Sequence, residues 1–204
     1  MNREPERKQT VYVVDDDQAI RRAMELLMRS VGLDYEIFHT ADDFLENHSN
    51  QRAGCLVLDI RMPGLGGLEL QEKLNEMGST LPIIFITGHG DVPMAVEAMQ
   101  KGAVDFIQKP FRDQELLDRI GVALKADEER RSARNRQAEV AARLDKLTKR
   151  EREVMDLVVT GKPNKVIAYE LGVSQRTVEI HRARVMEKMQ AKSLADLVRM
   201  HLAS

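Results

Sequence analysis

Five residues in the first half of the chain could share one reaction: Asp15, Asp16, Asp59, Thr87 and Lys109. The first two stand in VYVVDDDQAI, where an apolar run meets three consecutive aspartates. Adjacent carboxylates repel one another unless a cation neutralises them, so the triplet needs a reason. Asp17 has one. It is placed to cap a helix whose apolar face is Ile20, Ala23, Met24, Leu27, Met28 and Val31. Capping leaves Asp15 and Asp16 unexplained. Clustered carboxylates with no His or Cys nearby are an oxygen-only ligand set, suited to Mg2+ (or Mn2+) and not to zinc. A hydroxyl and a lysine beside them could hold the oxygens of a transferred phosphoryl group. An aspartate can itself act as the nucleophile and form an aspartyl-phosphate.

Residues so far apart in sequence must be gathered by the fold, and the hydropathy pattern supplies one. Apolar, β-branched runs recur at 11–14, 35–38, 55–59, 82–87 and 104–109, with helical patterns between them. Strand and helix alternating five times, with continuous apolar strands, predicts an α/β domain built on a five-stranded doubly wound parallel sheet. Such sheets bind ligands outside the carboxyl ends of their strands. Strand one ends in Asp15-Asp16, strand three in Asp59, strand four in Thr87 and strand five in Lys109. All five side chains would therefore meet on one rim.

At 204 residues the chain suits one or two domains. Its net charge of −2 hides an asymmetry. Residues 1–125 hold 14 Lys/Arg against 21 Asp/Glu, whereas residues 147–204 hold 11 against 7. An acidic front and a basic back predict two domains with different partners, nucleic acid being a candidate for the second. No apolar run approaches a membrane span, and MNREPERKQT lacks the apolar core of a signal peptide, so no membrane partner and a cytoplasmic location are expected. Cys55, the single cysteine, lies in an apolar run and reads as a buried, inert thiol.

The segments VVDD, LDIRMPG, ITGHG and IQKPF together resemble the receiver domain of a two-component response regulator, over residues 10 to about 125. The resemblance implies the strand order 2-1-3-4-5 and names Asp59 as phosphoacceptor, charged by a phosphohistidine on a sensor histidine kinase. It further implies that Asp16, Asp59 and the backbone carbonyl of Arg61 bind Mg2+, with Asp15 assisting through water. Thr87 and Lys109 would bind the phosphoryl oxygens, Phe106 would be the switch aromatic, and Pro110 would follow a cis bond. Two receivers would pair through residues 93–101, 104–109 and 112–124. Met94 and Met99 there could be contact surface or core. His89 reads as a loop residue without ligand function. A hydrolase or mutase using an aspartyl-phosphate would carry a second acid two residues after Asp59, where this chain has Arg61.

Between the halves, KADEERRSARNRQAEVAARLDKL is rich in helix formers and poor in large apolar residues. It reads as a solvated helical connector or a flexible tether, and composition does not separate the two. Beyond it, Thr148 and Glu151 form a T-x-x-E capping box for a helix closing at Gly161. A short helix follows, with Asn164 as its expected cap and Gly172 as its end. Ser174 then caps SQRTVEIHRARVMEKMQ, whose Val178, Val185, Met186 and Met189 point inward, and SLADLVRMHL completes an all-α four-helix module. Two helices joined by a Gly-containing turn, the second carrying Gln, Arg and His, form a helix-turn-helix pattern.

The stretch LTKREREVMDLVVTGKPNKVIAYELGVSQRTVEIHRARVMEKM resembles a LuxR-type effector domain, and a receiver plus this module is the architecture of the NarL/FixJ family. Expected boundaries are 9–125 for the receiver, 126–142 for the helical linker and 143–204 for the DNA-binding domain. By the resemblance Glu179, Ile180, His181 and Ala183 face the major groove. Asn164, Lys165, Gln175, Arg176, Thr177, Arg182, Arg184 and Lys188 complete the expected DNA-binding set, mostly at phosphates. The implied whole is a transcription activator, monomeric until phosphorylated and then a homodimer. It would act on double-stranded promoter DNA and RNA polymerase, in a setting of nitrogen fixation.

Overall fold

The structure, a computed structural model, describes residues 8–50, 52–88 and 92–202. The chain divides into two compact units, residues 1–130 and 131–204.

In the first unit β1 (Thr10–Val14), α1 (Gln18–Ser30), β2 (Asp34–Phe38), α2 (Ala41–Asn47), β3 (Gly54–Asp59), α3 (Gly67–Glu76), β4 (Ile83–Thr87), α4 (Val92–Gln100) and β5 (Asp105–Gln108) precede α5 (Asp113–Leu144). The five strands form one parallel sheet in the order β2-β1-β3-β4-β5, as the sequence pattern and the resemblance predict. β1, β3 and β4 lie inside the sheet and are buried on both faces, which is why they read as unbroken apolar runs. Alternate strand residues point to opposite faces. Tyr12, Val14, Leu56, Leu58 and Phe85 enter a core with Phe44, Leu70 and Leu74. Val11, Val13, Val57, Ile84 and Ile86 enter another with Met24, Met28, Leu116 and Ile120. Burying each such side chain contributes roughly 1.5–3 kcal/mol.

Asp17 caps α1, its Oδ1 accepting from the Ala19 N–H at 2.7 Å. Val31, expected on that helix's apolar face, lies just past its end and is largely exposed. The α2 helix has no counterpart among the sequence patterns singled out above. Its signal was local: Thr40 caps it by accepting from the Asp43 N–H at 3.1 Å, and Asp42 and Asp43 fill the first turn. Cys55 is fully buried, and burial first, with the Asp127 charge adding to it, pushes its thiol up to about 12. The thiol is buried, as expected. His89 lies outside the described residues.

The segment between the expected domains is helical. α5 is one helix of 32 residues, of which those through Arg130 belong to the first unit and the remainder to the second. Its middle is solvent-exposed, but Asp127 is buried in the first unit and Val140 joins the core of the second. A solvated connector over the whole of 126–142 is therefore too broad.

The second unit continues with α6 (Lys149–Val159), α7 (Asn164–Leu171), α8 (Gln175–Met189) and α9 (Leu194–Leu202). Val140, Val154, Met155, Val158, Ile167, Val178, Val185, Met189 and Leu197 form its core. The capping box closes as predicted, with the Thr148 N–H donating to Glu151 at 2.8 Å and the Glu151 N–H to the Thr148 hydroxyl at 3.3 Å. Gly172 ends α7 in the left-handed conformation, and Ser174 caps α8 by accepting from the Thr177 N–H. One cap is corrected. Pro163, not Asn164, is the capping residue of α7, because the Val166 and Ile167 N–H groups already bond the Pro163 carbonyl. That frees the Asn164 side chain for another partner.

Candidate phosphoacceptor site and nucleic-acid interface

The carboxyl ends of β1, β3 and β4 and the residue after β5 deliver the predicted set to one rim. Asp15 is fully buried and Asp59 nearly so, while Asp16 is exposed. Each offers a carboxylate oxygen, and these three oxygens lie within 4.8 Å of one another. The Lys109 ammonium bonds Asp15 Oδ2 at 2.7 Å and Asp59 Oδ2 at 3.0 Å. Thr87 is buried at the end of β4, and its carbonyl accepts the Lys109 N–H at 2.7 Å, so the hydroxyl and the lysine are set by one backbone bond. Lys109-Pro110 is cis. Phe106, half-buried on β5 in register with Phe85, packs on the first core.

Several neighbours had no signal in the sequence pattern. The Asp17 N–H donates to Asp15 Oδ1 at 2.8 Å, so the third aspartate serves the first through its backbone as well as capping α1. Arg21 donates to the Asp15 carbonyl at 2.7 Å, a contact its position on α1 foretells only once α1 is placed against β1. Gly67, which starts α3, sits so close to the phosphoacceptor strand that a Cβ there would meet the Asp59 carbonyl at 2.2 Å. Only glycine lets α3 begin beside Asp59.

The electrostatics are those of charge held together under strain and countercharge. Burial raises the Asp15 pKa, opposed by the bonds from Lys109 and the Asp17 N–H. Burial opposes the charge on Lys109, yet Asp15 and Asp59 outweigh it and its pKa is raised. An ammonium facing three carboxylates leaves net negative charge, and the donors are all oxygen, so the cluster fits a hard divalent cation. Replacing Lys109 with Met should expose the dependence on that countercharge. The first unit is expected to lose about 3 kcal/mol, because Asp15 is left buried without a countercharge, its Oδ1 still accepting from the Asp17 N–H. Millimolar Mg2+ should restore more stability to this variant than to the wild type, which thermal melts with and without the ion would check.

In the second unit, α8 turns its buried residues Val178, Val185 and Met189 to the core. The opposite face carries Gln175, Arg176, Glu179, Ile180, Ala183 and Arg184, all exposed and arranged in two i,i+4 rows. Ile180 is 47% exposed, an apolar side chain standing in solvent amid polar ones, with the form a thymine methyl contact requires. Lys165 on α7 is exposed as well. Thr177, His181 and Arg182 lie half-buried at the margin of the face. Arg182 donates to Asn164 Oδ1 at 3.0 Å, joining α8 to the start of α7. Lys188, assigned to phosphate in the sequence reading, is partly exposed and bonds the buried Glu151 at 2.6 Å.

Comparison with known proteins matches these two units separately. Residues 11–121 match the response regulator receiver domain, and residues 145–201 match the bacterial regulatory proteins of the luxR family. The chain is similar to nodulation protein W of Bradyrhizobium diazoefficiens, with 50% identity over 95% of this chain and 85% of that one. It is 46% identical to the transcriptional regulatory protein FixJ of Rhizobium meliloti, over 95% of each. Among solved structures, the response regulator StyR matches with a TM-score of 0.91 at 46% identity, covering 97% of this chain and all of that one. Full-length FixJ from B. japonicum matches with a TM-score of 0.61 at 44% identity, covering 96% and 97%.

Proposed function

The chain belongs to the response regulators that join a receiver to a LuxR-type DNA-binding domain, and from that premise we propose that phosphorylation of Asp59 switches its activity as a transcription activator. The observation that carries this reading is the pair of bonds from Lys109 to Asp15 and Asp59, at the rim where Asp16 follows β1 and Thr87 ends β4.

Asp59 takes the phosphoryl group from a phosphohistidine on a sensor histidine kinase. A new P–O bond forms to its carboxylate as the P–N bond breaks, and the imidazole leaves with a proton. Asp16, Asp59 and the Arg61 carbonyl would hold Mg2+, with Asp15 assisting through water, and the ion would offset the charge of the transferred group. Lys109, already within reach of Asp59, moves its ammonium to a phosphoryl oxygen, and the Thr87 hydroxyl binds another. Thr87 shifting toward the phosphate vacates space for Phe106 to turn inward, so the chemistry is read at the surface of α4, β5 and α5. That surface carries Val96, Met99 and Val122, each about half exposed, which suits pairing of two receivers. Met94 packs on the core and leaves Met99 as the adaptable contact.

Pairing places two DNA modules on neighbouring half-sites and links two weak contacts into one strong one. Lys165, Gln175, Arg176 and Arg184 meet phosphates, and Glu179, Ile180, His181 and Ala183 face base edges. The protein works in the cytoplasm with RNA polymerase as its further partner, and a setting in nitrogen fixation belongs to the same proposal. Among the described residues no helix is long and apolar enough to cross a membrane. The test uses the full chain, loaded by a small phosphodonor with Mg2+, and duplexes selected from a random pool. Loading should convert monomer to dimer in light scattering and raise DNA affinity about tenfold or more. Full loading with neither change would sink the proposal.

A further inference from the structure

Helix α5 continues past residue 121, where the receiver match ends, and its next turns are fastened to the sheet by side chains. The attachment lies at the amino ends of β3 and β4, the two strands that carry Asp59 and Thr87 at their carboxyl ends. Within the ladder, the Leu56 N–H donates to the Pro82 carbonyl at 2.8 Å, with Leu56 in register with Ile83. The parallel pattern advances two residues per rung, so the next rung down would join the Gly54 N–H to the Thr80 carbonyl. That rung is missing. The Gly54 N–H donates instead to Asp127 Oδ2 at 2.9 Å, and the Thr80 carbonyl accepts from the Arg130 guanidinium. Asp127 and Arg130, three residues apart on one face of α5, take one half of the open rung each.

Two further features fit a built joint. Asp127 is 1% exposed, a carboxylate committed to the interior for this bond. Gly54 has φ +131°, and a Cβ there would meet the Thr10 carbonyl at 1.8 Å, so the strand end that Asp127 grips admits glycine alone. A third bond, from the Gln9 side chain to the Leu124 carbonyl at 2.7 Å, ties the same stretch of α5 to the start of β1.

We propose that Asp127 and Arg130 form a clamp through which the state of Asp59 reaches α5: they close the β3–β4 ladder with helix side chains, so any change in how those strands lie against each other alters the hold on residues 124–130. β3 spans about 17 Å from Gly54 to Asp59 and is buried throughout, so it transmits displacement as a stiff element. The clamp rests on the phosphorylation switch proposed above and adds the residues that carry its signal into the helix. Asp127 and Arg130 touch no reacting atom; they are positioning residues.

The experiment compares the full-length wild type with Asp127→Leu, Arg130→Ala and Asp127→Asn. Each is read three ways: phosphoryl stoichiometry by intact mass, DNA affinity with and without loading, and amide exchange over residues 124–139. All four chains should load equally. In the wild type, loading should change exchange over 124–139. Asp127→Leu and Arg130→Ala should exchange faster there and identically in both states, and their loaded-to-unloaded affinity ratio should fall about tenfold. Asp127→Asn keeps an acceptor for Gly54 and should retain most of the wild-type ratio. If Asp127→Leu fails to fold, Arg130→Ala, altered only at an exposed side chain, decides. Unchanged affinity ratios in chains whose 124–130 stretch has loosened would overturn the clamp alone. A wild type that takes no phosphoryl group would overturn the switch, and the clamp with it.

Discussion

An Asp59→Asn chain should gain no mass from a small phosphodonor and Mg2+, and should bind selected DNA no better after that treatment than before. The amide keeps the volume of the side chain and its place at the end of β3, but removes the nucleophilic oxygen pair. Asp15 and Asp16 are carboxylates within a few ångströms, so substitution at Asp59 also tests whether the right one was chosen. Asp15 is the less suited. Its Oδ1 accepts the Asp17 N–H, its Oδ2 is held by Lys109, and it is fully buried. Asp16 is exposed at the rim, whereas Asp59 is nearly buried and bonded by Lys109. The loss in loading should be complete, and the loss in loading-dependent DNA affinity about tenfold or more. A phosphoryl group gained by the Asn chain would mean that another carboxylate is the acceptor.

The second large effect is expected far from the phosphoacceptor. Glu151 is 2% exposed and accepts from the Lys188 ammonium at 2.6 Å and the Thr148 N–H at 2.8 Å. Lys188 chiefly, with the Thr148 N–H and hydroxyl, holds its carboxyl down at about 2 against the opposing effect of burial. Glu151→Ala removes the capping box and the bond to Lys188, which should cost the second unit about 2–4 kcal/mol. Amide exchange resolved along the chain checks this: protection should fall across α6 to α9 while β1 to β5 and loading at Asp59 stay as in the wild type. Glu151→Gln isolates the charge. A carboxyl whose folded pKa lies below its ordinary 4.5 adds stability that is complete above that value and is lost as pH falls toward about 2. The wild-type second unit should therefore weaken across that window, and the Gln variant should not show that component.

The Lys188 result shows where sequence reading runs out. A lysine near the end of a basic helix looks the same whether it meets a phosphate or a glutamate, and only the packing of α6 on α8 decided which. Asn164 is similar: its type suits a cap, but the helix begins one residue earlier and Arg182 takes the side chain.

What the sequence determined by itself was local or periodic. Unbroken apolar runs marked the interior strands because burial on both faces leaves no polar alternation. Asp17, Thr148, Glu151, Gly172 and Ser174 announced helix ends because capping is satisfied within a few residues. The five chemical residues were legible because each ends or follows a strand, and parallel strands place their carboxyl ends together whatever lies between. The tertiary structure alone decided what depends on distance across the fold. Gly67 and Gly54 matter through backbones that approach them from elsewhere, and Arg21 through the placing of α1 on β1. Asp127 read as one charge in a solvated connector, because no periodicity encodes a missing ladder rung 73 residues away. A hydrogen bond of that separation exists only once sheet and helix have met, and its partners carry no mark of each other in the chain.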